Sequence, residues 1–487
     1  MSGSEQLDAV VVGAGPNGLA AAITLARAGR SVRVYEAAAT PGGGARSAEL
    51  TLPGYVHDVC SAIHPLASAT SFMASLDLEG HQRAGASLSF AAPEVDFAHP
   101  IGGDRAGAAY RSLDATIERL GTDGKRWEQL VGWVAERWDR LADDLFTPIT
   151  ELPKHPLSMA GFGARAALPA TISARGFSTP EASGLFAGAA AHSFLPLHRP
   201  LTTTFGLLLG GAAHVAGWPS IKGGSQELIR VMVDILESLG GDVVCDRPVR
   251  SLADLPESAV VLFDLTPRQV LAIAGAELSA RDRRTFSSFR HGPGVFKVDY
   301  ALSEPVPWTA EVCRRAGTVH VGGTIDEIDA AESLVAKGTM PERPFVLVAQ
   351  HSIFDDSRTP DPAAGEQRGH TLWTYAHVPN GCPIDVTDAI EQQIERFAPG
   401  FRDTIVARHT ASPSWYEQYN ENNVGGDIGG GAVDGLQLFA RPGLRRHPYR
   451  TGNPRLFLCS SSTPPGGGVH GLCGHNAALD ALRSTLA

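Results

Sequence analysis

The stretch that most constrains this chain is Asp8-Ala9-Val10-Val11-Val12-Gly13-Ala14-Gly15-Pro16-Asn17-Gly18, with the alanine- and leucine-rich run behind it. An apolar, β-branched run passes through G-x-G-x-x-G into helix formers, which is the order strand, tight turn, helix. A second short strand over residues 31–35 ends on Glu36. Each part has a physical task in a dinucleotide site. Gly13 permits the sharp turn out of the strand, Gly15 lets the backbone approach a pyrophosphate, and Gly18 lets the helix pack closely. The free N–H groups and positive dipole end of the helix face the phosphates. Glu36 stands where a carboxylate accepts ribose hydroxyls, and an acid there repels the extra phosphate of NADP. A turn ahead of an ordinary helix is the alternative in a chain with 54 glycines. The strand before, the helix after and the acid at the next strand end argue against it.

With 487 residues the chain holds two or more domains' worth of core. Its net charge of −11 argues against nucleic acid and against a strongly anionic membrane surface as partners. The six cysteines (60, 245, 313, 382, 459 and 473) include no C-x-x-C pair, which removes dithiol chemistry and zinc knuckles, and no metal site is expected. Free thiols fit a reducing cytoplasm. Residues 1–8 carry no basic stretch and read as neither signal nor transit peptide. No run of about eighteen apolar residues offers a membrane span. Residues 202–218, broken by glycines and His214, read as a buried helix or a pocket wall.

Past Glu36 and Ala37, Gly42-Gly43-Gly44-Ala45-Arg46-Ser47 reads as a second phosphate-facing loop, with unblocked N–H groups and a guanidinium. Residues 111–145 carry helical spacing, with Trp127 and Trp138 on the apolar stripe and Trp133 on its flank, facing a neighbouring element or a cavity. An αβ unit follows: a helix over 226–239, then strands at 242–245 and 259–264. Strands are expected at 294–302, 344–351 and 370–378, the last placing Thr371, Trp373, Tyr375 and His377 on one face. Residues 385–397 form an amphipathic helix. The glycine-rich run 422–431 has the composition of a linker. Residues 453–479 read strand, glycine-rich turn, helix, and that helix N-terminus suits an anionic group.

The fingerprint followed by a G-G-x-x-x-S/T loop resembles the FAD-binding flavoproteins that include amine oxidases, phytoene desaturases and carotenoid isomerases. The P-G-G-G-V-x-G-x-x-G-x-x-A-A run from Pro465 is similar to the C-terminal signature of the phytoene-desaturase-related members. The pattern is also similar to the pyridine nucleotide-disulphide oxidoreductase domain-containing subgroup. The resemblance implies that Gly467, Gly468, Val469 and Asn476 lie against the flavin. It implies that a strand carrying Val249 returns to the adenine, and that the segment with His57 and His64 passes near the ring. It makes the sheet bearing Tyr375 the floor of the substrate cavity and the run 422–431 the mouth of the flavin pocket. The arginine that many members carry after the second glycine is Gly44 here, and Arg46 is the substitute.

The expected fold is α/β: a doubly wound, Rossmann-type FAD domain of discontinuous segments with an inserted mixed sheet-and-helix substrate domain. The FAD segments are 1–70, 215–290 and 431–487, separated by a helical cap at 71–214 and a substrate-domain sheet with helices at 291–430. The expected chemistry is FAD-dependent hydride transfer with an apolar, isoprenoid or lipid-like substrate. Cofactor candidates are Gly13, Gly15, Pro16, Asn17, Gly18, Glu36, Ala37, Gly43, Gly44, Ala45, Arg46, Val249, Gly467, Gly468, Val469 and Asn476. For moving the accompanying proton the candidates are His470, His475 and Tyr375, ahead of His64, His351 and His377. A redox-neutral isomerase, an amine oxidase and a non-catalytic flavin-binding interaction protein stay open. So do the electron acceptor (quinone, oxygen or nicotinamide), peripheral membrane contact and homo-oligomerisation.

Overall fold

The computed structural model describes residues 6–81, 88–148, 150–363 and 367–487. Residues 1–5, where the expectation about a leader sequence begins, lie outside the described residues.

Two sheets organise the molecule. The first has five parallel strands in the order β5-β4-β1-β2-β3, where β1 is Leu7–Val12, β2 Val32–Tyr35, β3 Asp242–Val244, β4 Ser258–Phe263 and β5 Leu456–Leu458. Strands β1, β4 and β5 are almost wholly buried, which is why they read as runs of valine, leucine and phenylalanine rather than as alternations. On one face lie three helices: α1 (Pro16–Arg27), α2 (Gln226–Ser238) and α3 (Leu472–Leu482). Their alanines and leucines share a core with Ala9, Val11, Val260 and Leu262. The opposite face packs Val10, Val12 and Phe263 on Val270 and Phe286. The chain runs from β1 out to β2 on one side and later returns to β4 on the other. The crevice between the carboxyl ends of β1 and β4 is therefore the topological switch point, where ligands bind in open α/β sheets.

The second sheet has seven strands in the order Ile405–Ala411, Gly294–Leu302, His370–Val378, Val346–Ala349, Ala316–Val321, Val95–Gly102 and Arg105–Ala109. Its pairings are antiparallel except for the parallel pair formed by Ala316–Val321 and Val95–Gly102. Two of these strands fall inside the stretch expected to be a purely helical cap. Gly102 and Gly103, both at positive φ, turn the chain there into a hairpin. Helices Pro156–Ala166, Pro180–Ala191 and Thr202–Ala216 do form a cap, and its core includes Trp127 and Trp138. The expected helix over 111–145 is broken into short pieces, with a wide turn at Glu128–Gly132 and a break at Gly121. Trp133 faces a neighbouring element: its ring lies over Gly161 and between the guanidiniums of Arg137 and Arg165. Val249 is not on a strand, because β3 ends at Val244 and the chain continues as an extended loop.

Candidate functional site

A cavity of about 1590 Å³ runs from the β1–α1 loop to the inner face of the second sheet and the cap. Pockets for one small ligand measure roughly 300–1,000 Å³, so this cavity is larger than a single small ligand needs.

The dinucleotide end is built from main chain. Gly13 has φ +100°, which a side chain would strain, and a Cβ on Gly18 would overlap the Gly13 carbonyl oxygen. Glu36 closes the loop from the end of β2. Its Oε2 accepts the Ala14 N–H at 2.8 Å, and its Oε1 accepts the Ala38 N–H at 2.9 Å and the Arg46 guanidinium at 3.1 Å. Arg46 also donates to the Thr40 carbonyl at 2.7 Å and stacks on Tyr419. The guanidinium thus ties the second glycine loop to Glu36 while lining the cavity.

Asp264, which follows β4 directly, is the residue that sequence reasoning missed here. The sequence marks it only as the last residue of the strand expected at 259–264. Its Oδ2 accepts the Gly18 N–H at 3.0 Å and would lie 2.6 Å from a Cβ on Gly15. The space that Gly15 leaves open is therefore filled by a carboxylate of this chain. Burial, with a further contribution from the nearby Glu36 charge, pushes Asp264 up to about 7.

Of the proposed cofactor residues, Gly13, Gly15, Pro16, Asn17, Glu36, Ala37, Gly43, Gly44, Arg46, Val249, Gly467, Gly468 and Val469 line the cavity. Gly18, Ala45 and Asn476 do not. Gly18 serves helix packing, Ala45 is buried in the core, and Asn476 lies on α3 and donates to the Phe146 carbonyl at 3.1 Å. The run 422–431 is fastened rather than linker-like. Asp427 accepts the N–H groups of Gly292 and Gly429, and Asn422, Ile428 and Gly429 line the cavity.

The histidines resolve differently from the expectation. His475 points away from the cavity into the α1–α3 contact, where its Nδ1 meets Thr24 Oγ1 at 2.9 Å and its ring packs on Phe72. His470 lines the cavity, but its Nδ1 accepts the Leu472 N–H at 3.0 Å and so secures the start of α3. His64 meets Ser225 Oγ, and His351 meets the Ala62 carbonyl. Burial pushes His64, His351, His470 and His475 down to about 4, so these rings are neutral at physiological pH. His377 is paired with Glu332 at 2.8 Å and lies under the Phe194 ring.

Tyr375 lines the cavity with Trp373, and burial raises its phenol. Beside these two rings, on the same face of the sheet, lies a second missed feature, the fully buried Lys297–Asp299 ion pair on strand Gly294–Leu302. His57 and His409 lie 3.5 and 3.7 Å from the Asp299 carboxylate. Its signal in the sequence was a lysine and an aspartate two apart in an apolar strand, which places both on one face.

The region 11–76 matches the family model of the NAD(P)-binding Rossmann-like domain. The mouse pyridine nucleotide-disulfide oxidoreductase domain-containing protein 2 is 33% identical over 29% of this chain, a match that spans only 26% of that protein. An uncharacterised protein of Mycobacterium tuberculosis is 26% identical, over 98% of this chain and 97% of its own. Among solved structures, a putrescine oxidase redesigned for cofactor binding superposes with TM-score 0.60 at 19% identity, over 98% of this chain and 99% of that one. The fold is thus a Rossmann-type dinucleotide-binding domain joined to a mixed-sheet second domain, as found in oxidoreductases.

Proposed function

We propose that this chain is an FAD-dependent oxidoreductase acting on an apolar, lipid-like or isoprenoid substrate. The observation that carries the reading is the continuity of one cavity from a dinucleotide loop to an apolar chamber.

The residues present fit FAD. Asn17, at the first turn of α1, lines the cavity with its buried side-chain oxygen unpartnered among the described residues. Glu36, Ala37 and Val249 border the ribose and adenine end. The N-terminal end of α1 and the Gly43–Gly44 backbone would face the diphosphate, and Gly467, Gly468 and Val469 would border the flavin end. Bound there, FAD supplies the hydride-accepting chemistry.

The rest is the work of this chain. Met159, Phe194, Phe205, Leu208 and Leu347 give the chamber apolar walls that exclude water and favour a hydrocarbon body. Leu157, on the helix that carries Met159, and Leu152 just ahead of that helix stand 88% and 93% exposed, an apolar side that suits contact with a membrane surface. Tyr375 and Trp373 close the chamber at the sheet, with the Lys297–Asp299 pair beside them on the neighbouring strand. With His64 and His470 held neutral by burial, Tyr375, which lines the chamber, is the better candidate for holding or moving a proton there.

The visible absorption spectrum of the purified protein tests this reading, repeated anaerobically with NADH, NADPH and a long-chain apolar alcohol. A flavin band that an apolar donor bleaches supports it. No flavin band after incubation with FAD sinks it. Amine oxidation is the second reading, favoured by the Phe194 and Tyr375 rings stacked at 6.4 Å in the chamber. Bleaching by a long-chain amine but not by the alcohol would select it.

A further inference from the structure

The N–H groups of the cofactor loop are already in use. Ala14 donates to Glu36 and Gly18 to Asp264, and the Gly15 N–H points at the same Asp264 carboxylate. Pro16 has no N–H to give. Asn17 keeps the first-turn donor that neither carboxylate takes, beside its own unpartnered side-chain oxygen. The positive end of α1 therefore holds a resident anion of this chain at the place where a diphosphate belongs. Two anions side by side at the switch point repel.

We infer that Asp264 is a proton-coupled gate on cofactor loading: a dinucleotide diphosphate enters this crevice with the uptake of one proton by the Asp264 carboxylate. The proton comes from solvent and adds to one carboxylate oxygen, and no other bond changes. The neutral carboxyl keeps one oxygen for the Gly18 N–H and offers an O–H donor where a charge had stood. The inference rests on the dinucleotide reading of the loop and adds to it a pH dependence of assembly.

The surroundings single out Asp264 as the group that responds. Already at about 7, it is poised for protonation when a second anion arrives. The titratable groups that face it are Glu36 just past β2, Cys459 just past β5 and Cys473 on α3. Burial raises both thiols, Cys473 to about 12, so neither ionises in the window that matters. Glu36 already has partners: it accepts the Ala14 and Ala38 N–H groups and pairs with the Arg46 guanidinium. His470 and His475, at about 4, stay neutral throughout.

The experiment is a titration of FAD, and separately of ADP, into the deflavinated full-length chain between pH 6 and 9. Calorimetry is run in two buffers of different ionisation enthalpy to count protons. For the wild type, affinity is expected to fall about tenfold per pH unit above pH 7, with close to one proton taken up at pH 8. Asp264→Asn, which is neutral at every pH, is expected to bind equally at pH 6 and 9 with no proton uptake. Asp264→Ser serves as the second variant, and the wild-type proton count alone decides the matter should both variants misfold. A wild-type affinity that is flat with pH and takes up no proton overturns the gate. So does a pH slope that survives in Asp264→Asn. If FAD fails to bind while ADP binds with the expected proton uptake, the flavin reading falls and the gate stands. If neither binds at any pH, both fall.

Discussion

At the dinucleotide end of the cavity the working groups are the main-chain N–H donors of Ala14, Gly15 and Gly18, answered by Glu36 and Asp264. At the apolar end they are side chains, among them Met159, Phe194, Leu208, Leu347 and Tyr375, drawn from five separated stretches. A backbone cradle is specified by a few contiguous residues, because glycine and turn geometry are local properties. A side-chain wall depends on strands and helices that meet only in the folded chain, as when Gly294–Leu302 pairs with His370–Val378. The first kind of region tolerates almost no change, whereas the second tolerates much. That contrast can be broken by mutation.

The largest effect is expected at the cradle. In Gly18→Ala the new methyl group overlaps the Gly13 carbonyl oxygen, a backbone atom that cannot rotate aside. Soluble, cooperatively melting protein should be lost, and a normal melting curve for this variant would show the loop to be looser than drawn.

Next comes the buried pair beside the chamber wall. Lys297→Met leaves Asp299 charged and fully buried, a change that typically costs about 3–5 kcal/mol. The double variant Lys297→Met/Asp299→Leu should recover most of that loss in denaturant melts. No recovery would mean that His57 and His409 depend on the Asp299 charge more than Lys297 does.

A third prediction concerns pH. In the folded chain Asp264 keeps its proton up to about 7, against an ordinary carboxyl value of 3.8. Between these values the folded state binds the extra proton, so stability is fully present at the acid end and falls as pH rises through the window. Asp264→Asn removes this dependence. Its stability relative to wild type should climb between pH 4 and pH 7 and then level off, by no more than about 4 kcal/mol. Melting temperatures of both proteins across that range check it.

How much of this was legible follows the same contrast. The β1–α1–β2 unit and Glu36 could be read because each signal lies within thirty-six residues of chain. Asp264 could not, since its partner Gly18 is 246 residues away and nothing near Asp264 announces it. The tryptophan stripe placed Trp127 and Trp138 correctly in the core, yet Gly121 broke the helix that periodicity implied. His475 was singled out for its closeness in sequence to the glycine turn. One helical turn is enough to rotate a side chain off the cavity and onto α1. The two strands at 95–109 were missed because helical spacing dominates the surrounding stretch, and only Gly102-Gly103 marks the hairpin.

The smallest effect belongs to the chamber wall. Leu208 lines the cavity from helix Thr202–Ala216 and is only half-buried, so Leu208→Ala enlarges an existing space rather than opening a new one. The expected loss of stability is about 1–2 kcal/mol, at the low end for leucine truncations. FAD affinity should stay within twofold of wild type, because no group at the loop has moved. Binding of an apolar dye such as Nile red should weaken several-fold, because the wall it packs against has receded. Equal losses in FAD and dye binding would show that the wall also shapes the cradle, and the division between a backbone-built and a side-chain-built end would then have to be given up.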